Sequence, residues 1–201
     1  MSKMKNNNRL TVKDLITGGV FAALLLIANA IGGGFFAANP ALTFYYPVAG
    51  AILGGPIFML LIAKVEKRGI LSIIGVIFAI LALVTGMHWG MAVGGLIGLI
   101  IADVLVSVGK YQNPVLNVIA YMVYSIGPAG TYFIYFADPA SWNATMLENG
   151  TSQEYIDIMS SKANTSMLII MVLGTFVVAA ISGMVGNVLL KKQFKKAGVT
   201  A

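Results

Sequence analysis

Six long runs of apolar residues, separated by short polar segments, dominate this 201-residue sequence. An α-helix needs roughly 20 apolar residues to cross a bilayer, and each run is close to that length. Only 10% of the residues are charged, whereas a typical soluble domain carries about 25%. We therefore predict a single-domain, all-α polytopic membrane protein over residues 1–201. Its six transmembrane helices are expected at residues 15–31, 44–63, 69–85, 90–108, 114–137 and 167–190.

The positions of the basic residues predict the orientation of these helices. If both termini are cytoplasmic, twelve of the thirteen lysine and arginine residues lie inside, and Lys162 alone lies outside. The positive-inside rule favours this arrangement over its reverse. It predicts a cytoplasmic tail at residues 1–14, an external loop at residues 138–166 and a basic cytoplasmic tail at residues 191–201. The first apolar run is expected to be a retained helix, because no obvious small-residue cleavage site follows it.

Three segments are then external: a glycine-rich link at residues 32–43, the turn "TGMHWG" at residues 85–90, and the loop at residues 138–166. Within that loop, "SQEYIDIMSSKA" has the pattern of a short amphipathic surface helix. The net charge of +6 does not indicate nucleic-acid binding, because the charges cluster in the segments between apolar runs.

The chain offers little for catalysis. It has no cysteine, no GxxxxGK[ST] loop, no HExxH and no GxSxG, so we expect neither an enzyme nor a bound cofactor. The predicted spans contain one acidic residue, Asp103, which is a functional candidate by its position. A proton relay needs a chain of such groups, and no internal repeat is apparent. A stand-alone secondary transporter is therefore disfavoured, as is a membrane enzyme or structural subunit.

The turn "TGMHWG" contains the single histidine of the chain, His88, between Met87 and Trp89. One interpretation makes these residues an anchor at the membrane interface. The other makes them ligand contacts: stacking rings with one titratable donor suit a flat heteroaromatic ligand, and His with Met suits a metal-centred one such as haem. We expect ligand contact by His88 or Trp89. The expected companions are Phe35, Phe36, Asn39, Tyr132, Tyr135 and Trp142.

A polar stripe runs along the predicted fifth helix. At 100° per residue, Asn117, Tyr121, Tyr124, Tyr132 and Tyr135 fall within an arc of about 80°. A phenol within the membrane prefers a polar partner to lipid, so this stripe is expected to face inward. Tyr121 and Tyr124 therefore join the candidate ligand contacts.

Small residues recur at intervals of four, which places them on one helix face and lets backbones approach closely. In the fourth helix this series contains Gly90, Gly94 and Gly98, and we expect it to serve internal packing. In the first helix, two such pairs are candidates for contact with a partner protein. They are Gly18 with Ala22, and Gly19 with Ala23.

The C-terminal run "AAISGMVGNVLLKKQFKKAGV" passes from small residues into a basic tail of the form KK-x-F-KKAG. With six apolar runs and a short basic N-terminus, it resembles the Trep_Strep family of bacterial membrane proteins. Members of that family are regarded as substrate-binding S components of energy-coupling factor (ECF) transporters. The resemblance covers essentially the whole chain, and its tail is the most distinctive motif.

The resemblance implies a multi-pass protein of the bacterial cell membrane that binds a vitamin-like micronutrient from outside. A transmembrane (T) subunit and two ATPases would then drive its import. In S components an AxxxA pattern on the first helix contacts the T subunit. The matching positions here, Gly18/Ala22 and Gly19/Ala23, form a small-xxx-small variant of that pattern. S components bind ligand near the outer surface, under loops that correspond to the three external segments.

Overall fold

The computed structural model describes residues 9–191, so the outermost residues of both predicted cytoplasmic tails, 1–8 and 192–201, lie outside it. The described chain consists of helices joined by short turns and contains no strand. Its helices are α1 (Val12–Ala38), α2 (Tyr46–Lys64), α3 (Ile70–Val84), α4 (Trp89–Val108), α5 (Pro114–Ile126), α6 (Gly130–Ala137), α7 (Pro139–Glu148), α8 (Gln153–Lys162) and α9 (Thr165–Leu189). Two short 3-10 turns, Thr43–Tyr45 and Gly127–Ala129, complete the described elements.

Four of these segments are long and apolar enough to cross a membrane: Val12–Ala38, Thr43–Lys64, Trp89–Val108 and Thr165–Leu189. The helix Ile70–Val84 is apolar but shorter. The all-α membrane class is confirmed, whereas the number of crossings and their orientation stay predictions. The expected fifth span is divided at Gly127–Ala129, where Pro128 lacks the backbone N–H that an α-helical hydrogen bond requires.

The prediction of a loop at the glycine-rich link is wrong. Most of this segment is the end of α1, which continues to Ala38. The reason is close packing of α1 on α2. A Cβ atom at Gly32 would lie 2.6 Å from the carbonyl oxygen of Ala49, and one at Gly33 would lie 2.7 Å from the Tyr46 ring. The glycines here admit a neighbouring helix rather than a flexible turn.

Small residues also allow close contacts between helices in the rest of the bundle. Helix α2 packs against α1 and α9, while α4 packs against α3 and α5. A Cβ atom at Gly94 would overlap the Gly127 carbonyl, and one at Gly55 would overlap Ser182. The Ser182 hydroxyl accepts from the Gly55 N–H at 3.1 Å and donates to the Ile52 carbonyl at 2.7 Å. The small residues of the fourth predicted helix therefore serve internal packing, as expected.

The segment predicted as an external loop contains two helices, of which only α8 was expected. Helix α7 has a clear start signal: the Asp138 carboxylate accepts from the Ser141 N–H at 3.0 Å, and Pro139 follows at the first helical position. Buried Trp142 of α7 and Ile156 of α8 pack into an aromatic core with Tyr135. The two helices thus cover one end of the bundle.

The opposite end carries the charged connections. Lys67 Nζ lies 2.6 Å from Asp14 Oδ2 and joins the start of α1 to the α2–α3 turn. Buried Asp103 accepts hydrogen bonds from the Gly69 N–H at 2.7 Å and the Ser72 hydroxyl at 3.1 Å. Gly69 is the N-cap residue of α3, and the Asp103 carboxylate of α4 accepts from the N–H of this residue itself rather than from an N–H in the first turn of the helix. These contacts make Asp103 a connection between α4 and the start of α3 within the bundle.

Candidate functional site

A cavity of about 580 Å³ lies at the end of the bundle that α7 and α8 cover. Its wall combines parts of α1, α3 and α4, the start of α2, the junction of α5 with α6, and the α7–α8 pair. Ligand-binding cavities commonly have volumes of about 300–1,000 Å³. The cavity is therefore large enough for a small organic molecule.

Five of the predicted ligand contacts line this cavity. They come from three separate segments of the chain, namely the turn before α4, the α5–α6 region and α7. The His88 and Trp142 rings lie nearly parallel with their centroids 6.0 Å apart. The five residues are Met87, His88, Tyr124, Tyr132 and Trp142.

The other predicted contacts lie elsewhere. Phe35 is 69% exposed and Trp89 is 45% exposed, both on the surface of the bundle. Asn39 ends α1, and its side chain accepts from the Ala41 N–H at 3.0 Å. Because α1 continues through the glycine-rich segment, Phe35 and Phe36 stand on helix turns instead of folding over the cavity. The position of Trp89 fits the interface-anchor interpretation.

The polar stripe faces inward along its whole length, as its periodicity predicts: all five of its side chains are buried. Two of them nevertheless lie behind the cavity wall. The Tyr121 hydroxyl donates to the Ala51 carbonyl at 2.8 Å, within the core. Tyr135 stands edge-on to Trp142, with ring centroids 5.3 Å apart. Both residues support the lining without belonging to it.

The turn that presents His88 is fixed by its backbone. Gly86 adopts a φ of 75°, a left-handed conformation that glycine accepts without steric cost. The Met87 N–H then donates to the Ala82 carbonyl at 2.9 Å, which ends α3. His88 follows at once as the N-cap of α4 and is only 1% exposed.

The hydrogen bond of the cap determines the tautomer of His88. Its Nδ1 accepts from the Gly90 N–H at 3.0 Å, so this nitrogen carries no proton. Burial also lowers the pKa of His88 below its usual 6.5, which favours the neutral ring. The proton then resides on Nε2, which has no hydrogen-bond partner among residues 9–191. A buried donor without an acceptor costs about 1–3 kcal/mol, and a bound ligand would remove that cost.

Most other polar groups around the cavity already have partners in the protein. The Trp142 Nε1–H donates to the Thr131 hydroxyl at 2.8 Å. Thr43 and Tyr132 share a hydrogen bond of 2.8 Å between their hydroxyls. The Tyr155 hydroxyl donates to the Ala37 carbonyl at 2.6 Å and joins α8 to the end of α1. Within the described chain, no Lys, Arg, Asp or Glu side chain lines the cavity.

Several lining residues were missed by sequence reasoning. Met91, Met146 and Met159 add to Met87, so that four flexible thioether side chains line the wall. Tyr155 could have been found, because it lies on the predicted amphipathic helix. Asn29 and Tyr46 lie on no predicted polar or amphipathic face. Their side chains form a hydrogen bond of 2.5 Å between α1 and α2, and the sequence alone does not indicate this contact.

The lining does not fit a metal-centred ligand held by His88. A neutral imidazole that binds a metal through Nε2 must carry its proton on Nδ1. Here Nδ1 is occupied as the acceptor of the Gly90 N–H, so Nε2 is a donor. Among residues 9–191 there is also no cluster of three or more His, Cys, Asp or Glu side chains.

The candidate partner surface on α1 is narrower than expected. Ala22 is only 4% exposed, and a Cβ atom at Gly18 would overlap the Ile70 side chain of α3. This pair packs inside the bundle and is not available to another protein. Gly19 and Ala23 are exposed, and no atom of residues 9–191 lies within 4 Å of the position that a Gly19 Cβ would occupy.

Comparison with known proteins gives one family. The family described as a hypothetical bacterial integral membrane protein (Trep_Strep) matches the chain over residues 12–196. No curated protein and no solved structure matches the chain.

Proposed function

Because the chain belongs to the Trep_Strep family of bacterial integral membrane proteins, we propose that it is the substrate-binding S component of an ECF-type importer. It captures a small vitamin-like or heteroaromatic micronutrient from outside the cell. A T subunit and two ATPases complete the importer. In this proposal the six predicted helices cross the cell membrane and both termini are cytoplasmic.

The observation that carries this proposal is the cavity beneath α7 and α8. It brings together His88, Tyr132 and Trp142, which are far apart in sequence. It lies at the end of the bundle opposite the basic connections around Lys67, the end that the positive-inside rule assigns to the exterior. A cavity at this level suits capture of a solute from outside.

The proposal that other subunits hydrolyse ATP agrees with the motifs and surfaces of this chain. The sequence has no phosphate-binding loop of the GxxxxGK[ST] type, so energy from ATP must come from other subunits. The exposed small residues Gly19 and Ala23 offer a place where another helix can approach closely.

A stand-alone secondary transporter is the second candidate, and Asp103 is the residue that would favour it. Its carboxylate, however, joins α4 to the start of α3 by accepting from the Gly69 N–H and the Ser72 hydroxyl. That structural role accounts for an acid at this position without proton coupling. We therefore favour the S component over the secondary transporter.

Co-purification tests the proposal. Tagged protein isolated from its native membranes should bring with it a T subunit and two ATPases. Gly19→Leu and Ala23→Leu should each weaken this complex, because an isobutyl group prevents close approach of a partner helix. Gly34→Leu is the matched control, since it lies on the same helix and also has open space around its Cβ position. Isolation of the wild-type chain without these subunits would overturn the proposal.

A further inference from the structure

The cavity wall is uncharged. Its lining consists of aliphatic, aromatic, thioether, hydroxyl and amide groups, and within residues 9–191 no ionic side chain reaches it. An ion moved from water into such a place loses its hydration and gains no counter-ion. An uncharged molecule loses far less on entry, so the wall selects against ionised solutes.

Among residues 9–191, one buried polar atom of the lining lacks a hydrogen-bond partner, and this atom is a donor. His88 borders the cavity and is 99% buried, and its Nε2 makes no hydrogen bond within the described chain. The Gly90 N–H holds Nδ1 as an acceptor, so the proton resides on Nε2. The Trp142 ring lies beside the imidazole, with their centroids 6.0 Å apart. A hydrogen-bond acceptor on the ligand is the complementary group.

We infer that the cavity receives an uncharged, largely apolar, flat molecule whose carbonyl oxygen or ring nitrogen accepts a hydrogen bond from His88 Nε2–H. This inference rests on the proposed function in one respect, that the cavity is the substrate site. Tyr124, Tyr132 and Trp142 provide aromatic surface for such a molecule. Met87 and Met91 provide side chains that adapt to its outline.

Amide and carboxylate forms of the same ring system test the inference directly. The probes are nicotinamide and nicotinate, indole-3-acetamide and indole-3-acetate, and acridine-9-carboxamide and acridine-9-carboxylate. Binding to the purified full-length protein in nanodiscs is measured at pH 7.5 by equilibrium dialysis and mass spectrometry. The amide of at least one pair should bind about tenfold or more tightly than its carboxylate, because only the amide enters without a charge.

His88→Ser supplies the second half of the test. Serine is a favoured N-cap, so α4 keeps its start, but the ring donor is lost. The preferred amide should then bind about tenfold more weakly. Trp89→Phe is the control, because Trp89 does not line the cavity and phenylalanine keeps an aromatic ring beside His88.

Three results would overturn the inference: carboxylates that bind as tightly as amides, amide binding that survives His88→Ser, or no binding of any probe. None of these results would affect assembly with a T subunit and ATPases. Failure of that assembly would instead overturn the proposed function and leave the ligand class untouched.

Discussion

At the scale of single residues, His88 and Trp89 show what a sequence can and cannot reveal. Their crowding in "TGMHWG" pointed to this turn, and the structure brings His88 to the cavity wall. Trp89, one residue later, is on the outer surface and 45% exposed. Which neighbour turns inward depends on the phase of α4 relative to α5 and α7, and that phase is set by packing between helices. Sequence reasoning therefore found the segment but not the division of roles within it.

The two tryptophans provide a direct check of this geometry, because the chain has no others. Trp89→Phe leaves Trp142, which is 3% exposed, and Trp142→Phe leaves Trp89. In proteoliposomes that contain brominated lipid, fluorescence of the Trp142-only protein should be quenched several-fold less than that of the Trp89-only protein. Circular dichroism of both variants serves as the folding control. Equal quenching of the two would contradict the placement of Trp142 inside the bundle.

At the scale of helices, the sequence does not show directly whether a group of glycines forms a loop or a contact between helices. The run Gly32–Gly34 has the composition of a loop, yet it lies within α1 because Gly32 and Gly33 meet α2 at close range. The series at Gly90, Gly94 and Gly98 was interpreted correctly, because its regular spacing already predicted a packed face. Composition alone cannot distinguish a glycine-rich loop from a glycine-rich helix surface that packs closely against another helix.

Gly94 and Gly95 are adjacent and so form a matched pair for this packing account. A methyl group at Gly94 would overlap the Gly127 carbonyl, whereas no atom of the described chain lies within 4 Å of the equivalent position at Gly95. Gly94→Ala should destabilise the bundle by about 1–3 kcal/mol, as overpacking does. Gly95→Ala should leave stability unchanged or raise it slightly, because alanine favours helix. Thermal unfolding in detergent measures both, and equal midpoints would contradict the close approach of α4 to the α5–α6 junction.

At the scale of the whole molecule, the class and the approximate bounds of most helices followed from apolar run length. The cavity did not, because its wall draws on segments from Leu26 to Met159 that meet only through tertiary packing. Helix α7 was missed although Asp138 and Pro139 mark its start, since a long polar segment suggests a loop. Hydrophobic periodicity reports which faces are buried, but it does not report where a bundle leaves space.

The central claim is that this chain captures a solute but does not transport it alone. Uptake into liposomes tests that claim most directly. The substrate is first identified by mass spectrometry of the ligand that the purified protein retains, and it is then supplied in radiolabelled form. We predict binding but no accumulation by the chain alone, under proton or sodium gradients, and ATP-dependent accumulation once a T subunit and two ATPases are added. Gradient-driven accumulation by the chain alone would contradict the account and identify a secondary transporter.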